Sequence, residues 1–125
     1  MDKWQAIQTF WEGFNIPAYD VATVPSGVNS PQFPYITYEV RTGAIGDTVA
    51  LSASIWDRSD SWERISKLAD SIAEDIGKYG HVVAKIDTGY VYITQGAPFA
   101  QRVADEDDSI RRILLNVNVE FLTAY

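Results

Sequence analysis

The strongest pattern in the chain is a helical one between residues 60 and 80. Apolar side chains recur there at spacings of three and four, which places them on one face of an α-helix; they are Trp62, Ile65, Leu68, Ala69, Ile72, Ile76 and Tyr79. Asp60 and Glu63 form a capping-box pattern at its start, and Gly80 is suited to the left-handed conformation that ends a helix. The other face carries two charge pairs at favourable spacing, Glu63–Lys67 and Glu74–Lys78. These features predict a central helix over about residues 61–79, with its apolar face on a sheet.

A shorter helical pattern lies at the N-terminus, over about residues 2–13. Asp2 and Gln5 make a second capping-box pattern, and Gly13 is the predicted stop. The apolar side chains at helical spacing are Trp4, Ile7, Phe10, Trp11 and Phe14. We expect this helix to pack on the core of the domain. The alternative is that its aromatic face docks on a neighbouring subunit.

Five segments alternate apolar and polar residues, which is typical of half-buried strands: residues 35–41, 48–56, 82–86, 90–94 and 111–123. The first two are predicted to form a hairpin, and Asp87-Thr88-Gly89 marks a turn between the third and the fourth. Most connections between strands are too short for crossovers. We therefore predict a single α+β domain over residues 1–125, with a mainly antiparallel or mixed sheet and both helices packed on one face.

Two segments are predicted to be irregular. Residues 15–34 hold four of the five prolines, which break helices and remove donors from sheet ladders. A loop of this length is unusual in a compact domain. One alternative is that this loop has a function or becomes ordered against a partner. The other is that it only wraps the surface of the fold. Both alternatives stay open. The second predicted loop, residues 95–108, ends in the acidic run Asp105-Glu106-Asp107-Asp108.

Composition narrows the classes of function. The chain has no cysteine, which excludes disulfides, thiolate catalysis and cysteine-ligated zinc. No transmembrane helix is expected, because no apolar run approaches 18 residues. No signal peptide is expected either, because Met1-Asp2-Lys3-Trp4-Gln5 lacks a basic region followed by an apolar stretch. The net charge of −7 argues against a groove that neutralises nucleic-acid phosphates. The four Trp, seven Tyr and five Phe are many for 125 residues. We expect any one of them to lie in the core rather than at an interface, although such an excess is also typical of a protein–protein contact surface.

No residue pattern predicts catalysis, a cofactor or a metal ion. The acidic run fails as an EF-hand calcium loop, because Ile110 and Asn116 stand where Gly and Glu are required. The single histidine, His81, follows the predicted end of the central helix without a nucleophile motif, so we expect it to contact the last carbonyls. A hairpin loop explains Gly43 and Gly46 better than a nucleic-acid clamp does. We therefore expect a protein that is not an enzyme.

The acidic run directly precedes Arg111 and Arg112. Opposite charges this close along the chain suggest pairing between subunits of a ring, which would be a directional, head-to-tail contact. This is a hypothesis about assembly, and a charged surface loop is the default interpretation of the acidic run.

Two stretches of the chain resemble one protein family. The first contains Phe14-Asn15-Ile16-Pro17-Ala18-Tyr19, Val24-Pro25 and Phe33-Pro34-Tyr35-Ile36-Thr37-Tyr38. The second is Tyr92-Ile93-Thr94-Gln95-Gly96-Ala97-Pro98-Phe99-Ala100-Gln101, followed by the acidic run and the strand from Ile110. In this order they look like the small tail-terminator, or tail-completion, proteins of long-tailed bacteriophages and prophages, which are minor tail or head–tail joining proteins.

The resemblance implies a structural virion protein that caps the tail tube, stops its polymerisation and joins the tail to the head. The expected partners are other copies in a hexameric ring, formed alone or only on the tube, the major tail tube protein, and a head-completion or connector protein. DNA would only pass through the lumen, and no membrane contact is expected. The implied location is the head–tail neck of the virion, and the bacterial host cytoplasm during assembly. The implied fold is a mixed sheet with helices packed on it, and no catalytic, cofactor or metal residue is carried over.

The candidate subunit or partner interface combines the charged segment with one aromatic side chain from each resembling stretch: Asp105, Glu106, Asp107, Asp108, Arg111, Arg112, Phe99 and Tyr19. Two other functions stay open. A head-completion or connector protein has a similar size and also forms rings, so partner identity would separate it from a tail terminator. A small-molecule-binding domain would instead show an enclosed apolar pocket with a few convergent polar groups.

Overall fold

The computed structural model covers residues 1–125 and contains two α-helices and six strands. In chain order these are α1 (Lys3–Glu12), β1 (Ala18–Asp20), β2 (Tyr35–Tyr38), β3 (Thr48–Arg58), α2 (Glu63–Gly77), β4 (Val82–Ile86), β5 (Gly89–Val103) and β6 (Ile110–Thr123). Two single 3₁₀ turns, Val21–Thr23 and Gly27–Asn29, lie between β1 and β2. The predicted α+β fold is confirmed.

The strands form one sheet in the order β1-β2-β3-β6-β5-β4. Only β1 and β2 run parallel; the other four pairs are antiparallel, so the sheet is mixed. The predicted hairpin of β2 and β3 is confirmed, with Ile36 opposite Ile55. Helix α1 contacts both edge strands, β1 and β4, which shows that the sheet curls around it. The long hairpin of β5 and β6 lies between β3 and β4 in the sheet.

The core lies between the helices and the inner face of the sheet. Alternate residues of β6 are buried there, as the pattern predicted: Ile113, Leu115, Val117, Val119 and Phe121. Helix α2 adds Ile65, Ala69, Ile72 and Ile76 and packs on β3, β5 and β6. Helix α1 adds Ala6, Ile7 and Trp11, and its Phe10 and Phe14 pack against the same cluster. The predicted docking of the N-terminal helix on the core is therefore confirmed.

The start of α2 differs from the prediction. Trp62 precedes the helix, and the Ser61 hydroxyl accepts a hydrogen bond from the Glu63 N–H at 3.0 Å. The side chain of Asp60 makes no capping bond; its backbone carbonyl accepts from Arg111 instead. By contrast, the capping box of Asp2 and Gln5 at the start of α1 is present with both hydrogen bonds.

The end of α2 explains two further differences. Regular helix stops at Gly77, and Gly80 takes a positive φ of 79° as predicted. Tyr79 lies past the last regular turn and is exposed rather than part of the apolar face. For the same reason Lys78 does not pair with Glu74, whereas Lys67 contacts Glu63 at 3.0 Å within the helix.

Both predicted loops contain strand. Within residues 15–34, β1 pairs with β2, and the Pro17 carbonyl accepts from the Ile36 N–H at 2.8 Å. The loop predicted over residues 95–108 is mostly β5, which continues to Val103. Pro98 is tolerated because the ladder with β6 shifts register between Gln95 and Ala100, so no ladder bond needs its missing N–H.

Candidate interaction surface

Five of the six arginines gather at one end of the sheet, where β3 ends, β6 begins and α2 starts. The register places Trp56 opposite Arg112 and Asp57 opposite Arg111. Large aromatic side chains lie beside the guanidinium groups, at ring-centroid distances of 4.7 to 5.4 Å. We call this cluster the arginine-rich end; its members are Arg58, Arg64, Arg102, Arg111, Arg112, Phe33, Tyr35, Trp56 and Trp62.

On the face of the sheet away from the helices, aromatic rings and one guanidinium form a continuous row. The rings of Tyr35 and Trp56 stack with centroids 6.4 Å apart, and Tyr19 meets Tyr35 edge to face at 6.2 Å. The guanidinium of Arg112 lies 4.7 Å above Trp56, and its Nε donates to Ser54 Oγ at 3.0 Å. These side chains are only partly buried, so the row is an ordered surface rather than core.

On the inner face, a buried carboxylate holds the start of α2 against β3. Asp57 is completely buried, whereas the side chain of Arg64 is 57% exposed. Arg64 Nε donates to Asp57 Oδ2 at 3.0 Å, and Nη2 donates to Oδ1. These hydrogen bonds, and the negative charge of Asp57, raise the pKa of the Arg64 guanidinium.

Trp62 is held between two guanidinium groups, those of Arg102 at 5.0 Å and Arg111 at 5.4 Å. Arg111 also donates to two backbone carbonyls, that of Asp108 at 2.9 Å and that of Asp60 at 3.1 Å. Arg111 therefore ties the β5–β6 turn to the segment before α2. Its Nε is buried and has no hydrogen-bond partner, which is uncommon for a buried donor.

The acidic run forms the β5–β6 turn beside this cluster. Asp107 Oδ1 accepts from the Ser109 N–H at 2.8 Å and from the Ser109 hydroxyl at 2.7 Å. Arg58 donates to Ser109 Oγ at 2.7 Å and lies 3.6 Å from Asp107 Oδ2. The carboxylates of the other three acidic residues form no ion pair: Asp105, Glu106 and Asp108.

Asp107 should stay ionised at a lower pH than an ordinary aspartate. The hydrogen bonds from Ser109, and then the charge of Arg58, lower its pKa. A lowered folded-state pKa contributes stability above the unfolded-state pKa, and that stability is lost as pH falls through the lower, folded-state value. We expect Ser109→Ala to bring the Asp107 pKa back toward its ordinary value and Ser109→Thr to keep it low, as followed by carboxyl NMR titration. An unchanged pKa in Ser109→Ala would contradict the assignment of the hydroxyl as the main cause.

The structure brings most of the predicted interface residues to the arginine-rich end, but within one chain. Arg112 and Tyr19 belong to the outer aromatic row, while Arg111 and Asp107 fix the β5–β6 turn that also carries the other three acids. Arg111 contacts the backbone carbonyl of Asp108 rather than its carboxylate. Pairing of these charges between subunits stays a prediction. Phe99 lies elsewhere, packed against the core from β5.

The residues that build this surface from β3 and α2 are not predicted by the sequence pattern. Asp57 continues the inward-facing phase of Leu51, Ala53 and Ile55, so a charge at that position signals a buried partner. Helical spacing places Arg64 on the solvent face of α2 and Trp62 on its apolar face. Neither assignment shows that the start of the helix lies over the end of β3.

The largest cavity is an open groove of about 650 Å³ along the start of α2. Its lining is polar except for Leu68 and includes three cationic side chains, those of Arg58, Arg64 and Lys67. This groove lacks the enclosed apolar walls typical of small-molecule sites. No group of three or more His, Asp or Glu is placed to hold a metal ion, and neither helix has the length and apolar character needed to cross a membrane.

No protein-family model matches the chain, and no curated protein matches it significantly.

Proposed function

We propose that this chain is a structural protein of a long-tailed phage or prophage that caps the tail tube, terminates tail polymerisation and joins the tail to the head. One observation supports the proposal most. The two stretches that resemble tail-terminator proteins meet at the arginine-rich end, where Arg58 contacts both. Its guanidinium lies 5.2 Å above the Phe33 ring and 3.6 Å from the Asp107 carboxylate.

The composition of this surface suits a protein partner. Arg, Trp and Tyr are the side chains most enriched among the residues that dominate binding energy at protein interfaces. Here Trp56 and Trp62 are each stacked against guanidinium groups, which fixes their orientation before a partner arrives. Such pre-organisation lowers the entropy lost on association.

The charges of the surface favour a directional contact between copies. Exposed charges of both signs lie near this end: Lys67, which pairs with Glu63 on α2, and the carboxylates of Glu106 and Asp108, which form no intrachain ion pair. A head-to-tail ring needs two surfaces of each subunit that are complementary to each other. We propose a hexameric ring that binds the major tail tube protein on one side and a head-completion protein on the other, in the neck of the virion. The net charge of −7 would let DNA pass through the lumen with little adhesion.

The mass of the purified protein tests this proposal. Light scattering across a concentration range, with and without tail tubes, should give a sixfold mass or, on tubes, binding restricted to their ends, which electron microscopy would locate. A monomer that ignores tubes at every concentration would contradict the proposal. Binding to the portal side alone would instead indicate a connector protein of the neck.

Charge reversal in the β5–β6 turn should weaken assembly. Glu106 and Asp108 have exposed carboxylates without an intrachain ion pair, so we expect Glu106→Lys and Asp108→Lys to keep the fold while they reverse charges that can face a neighbour. We expect slower ring formation with a smaller dependence on salt, because exposed interface charges act mainly on association rate. Asp47→Lys, in the exposed β2–β3 connection, is the matched control. Equal assembly rates for all three variants would contradict a role for the acidic turn.

A further inference from the structure

Arg112 is a half-buried cation without an anionic partner in the chain. It lies on the face of the sheet away from the helices and takes part in none of the ion pairs of the structure. Its Nε donates to Ser54 Oγ at 3.0 Å, while Nη1 and Nη2 donate to no group of the chain. Charges that are withdrawn from water are normally paired, so this guanidinium is suited to an anion from outside the chain.

Two contacts fix the orientation of the Arg112 guanidinium. It lies 4.7 Å from the centre of the Trp56 ring, and the indole is itself held because its Nε1 donates to Thr37 Oγ1 at 2.9 Å. Ser54, which accepts from Arg112 Nε, is 4% exposed. The two Nη groups therefore form a fork of defined direction, which matches the two oxygens of a carboxylate.

Arg112 lines a small cavity of about 170 Å³ on the same face. Thr37 and Ser54 also line it. Each of their hydroxyls accepts one of the hydrogen bonds described above, so its O–H group stays available as a donor. Val21 and Leu114 add apolar walls. The cavity thus combines an oriented cation with two hydroxyl donors, which are the groups that hold an oxyanion.

The one carboxylate that lines the cavity has partners of its own. Glu39 Oε1 lies 3.2 Å from Arg41 Nη2 and accepts from the Ser52 N–H at 2.9 Å. Glu39 is therefore not the counter-ion of Arg112, and Arg41 offsets the repulsion that Glu39 would exert on an incoming anion. The charge that remains for a ligand is the single positive charge of Arg112.

We propose that this cavity binds a carboxylate of a partner protein. The Nη groups of Arg112 donate to its two oxygens, and the hydroxyls of Thr37 and Ser54 are the further donors beside them. The assignment rests on the proposed role of the arginine-rich end as a protein interface, but it requires neither a ring nor a tail tube.

Nucleic-acid phosphates suit this end less well than a single carboxylate does. Binding a polyanion needs several free cations, whereas three neighbouring guanidiniums are already engaged within the chain: those of Arg58, Arg64 and Arg111. The net charge of −7 also repels a polyanion. One oriented fork in a small cavity is sufficient for one carboxylate.

Peptide titration followed by heteronuclear NMR tests the site on the wild-type chain. The probes are Ac-Gly-Glu-Gly-NH₂, its neutral counterpart Ac-Gly-Gln-Gly-NH₂, and Ac-Gly-Gly-Gly with a free C-terminus. We expect the Arg112 Nε and Trp56 indole signals to shift, and a carboxylate peptide to bind at least about tenfold tighter than the Gln peptide, because charged hydrogen bonds are the stronger ones.

The tighter of the two carboxylate peptides identifies the source, an acidic side chain or a chain terminus. Equal binding of the Glu, Gln and free-terminus peptides, or no binding, would overturn the proposal. Inorganic phosphate that binds tighter than both carboxylate peptides would overturn the assignment to a carboxylate.

Substitution of Arg112 separates the site from the general charge of the surface. Arg112→Met should weaken binding of the carboxylate peptide by about tenfold. Arg112→Lys should weaken it several-fold although the charge is kept, because an ammonium group offers no planar fork. Arg102→Met is the matched control, since Arg102 also stacks against a tryptophan, Trp62, and forms no ion pair. Circular dichroism checks the fold of each variant. Equal weakening in Arg112→Met and Arg102→Met, or full binding in Arg112→Lys, would overturn the proposal.

Failure of this site and failure of the tail-terminator proposal give different results. A chain that binds the carboxylate peptide through Arg112, but stays monomeric and ignores tail tubes, would support the site and contradict the tail-terminator function. A ring on tail tubes, formed by a chain that binds no carboxylate peptide, would support that function and overturn the site.

Discussion

Replacement of Trp11 by alanine is expected to lower the free energy of unfolding by about 3–5 kcal/mol. Trp11 has no exposed surface, and its ring contacts those of Phe10 and Phe14 at 4.8 and 6.2 Å. It belongs to α1, which touches both edge strands of the curled sheet. A cavity at this position would therefore weaken the part of the core that joins the two edges. Urea denaturation followed by circular dichroism measures the effect.

Trp4→Ala is the matched control, because it removes the same side chain from the same helix. Trp4 is 51% exposed, so we expect a loss of about 1 kcal/mol or less. If both variants lost the same stability, the effect would come from α1 as a helix, and the burial of Trp11 would not be its cause.

The elements with long, regular patterns were predictable from the sequence. The buried residues of α2 recur at helical spacing over about three turns, and those of β6 alternate over nine residues. Each pattern can be recognised within its own segment, because burial of one face of the helix or strand accounts for all of its apolar positions. The capping box of α1 was predictable for a similar reason, since Asp2 and Gln5 interact with each other and need no tertiary partner.

Elements that depend on distant partners were not predictable. β1 has three residues, too few to show alternation, and it exists because its neighbour is β2. Pro98 in an otherwise extended segment indicated a loop, as proline usually does. Pro98 is tolerated because the ladder with β6 shifts register around it. That shift depends on how β5 and β6 pair, so the sequence of β5 alone does not reveal it.

The arginine-rich end was predictable only in part. The acidic run and the arginines after it are adjacent in sequence, so their grouping needed no structure. The aromatic partners of those arginines come from β3 and from the start of α2, through the β3–β6 register. Asp57 was the one available signal, because its phase in β3 points inwards. Identifying Arg64 as its partner required the position of α2.

Removal of the Asp57 carboxylate is the substitution at this surface with the largest expected effect. Asp57→Ala should lower the free energy of unfolding by about 2–3 kcal/mol, because two charge-assisted hydrogen bonds to a fully buried group are lost. The loss should be below that for a completely buried pair, since the freed Arg64 guanidinium can return to water. Urea denaturation measures the change in the free energy of unfolding. Ring assembly should also weaken, because the ion pair no longer holds the start of α2 against β3.

A double-mutant cycle separates the ion pair from simple loss of packing. Arg64→Met alone leaves a buried carboxylate with no bidentate partner, whereas Asp57→Leu together with Arg64→Met leaves no buried charge. The double variant should therefore be more stable than Arg64→Met, although it carries one more substitution. Strictly additive losses would mean that Asp57 and Arg64 act independently. In that case the start of α2 would be held by apolar packing alone, and the buried carboxylate would have no part in shaping the arginine-rich end.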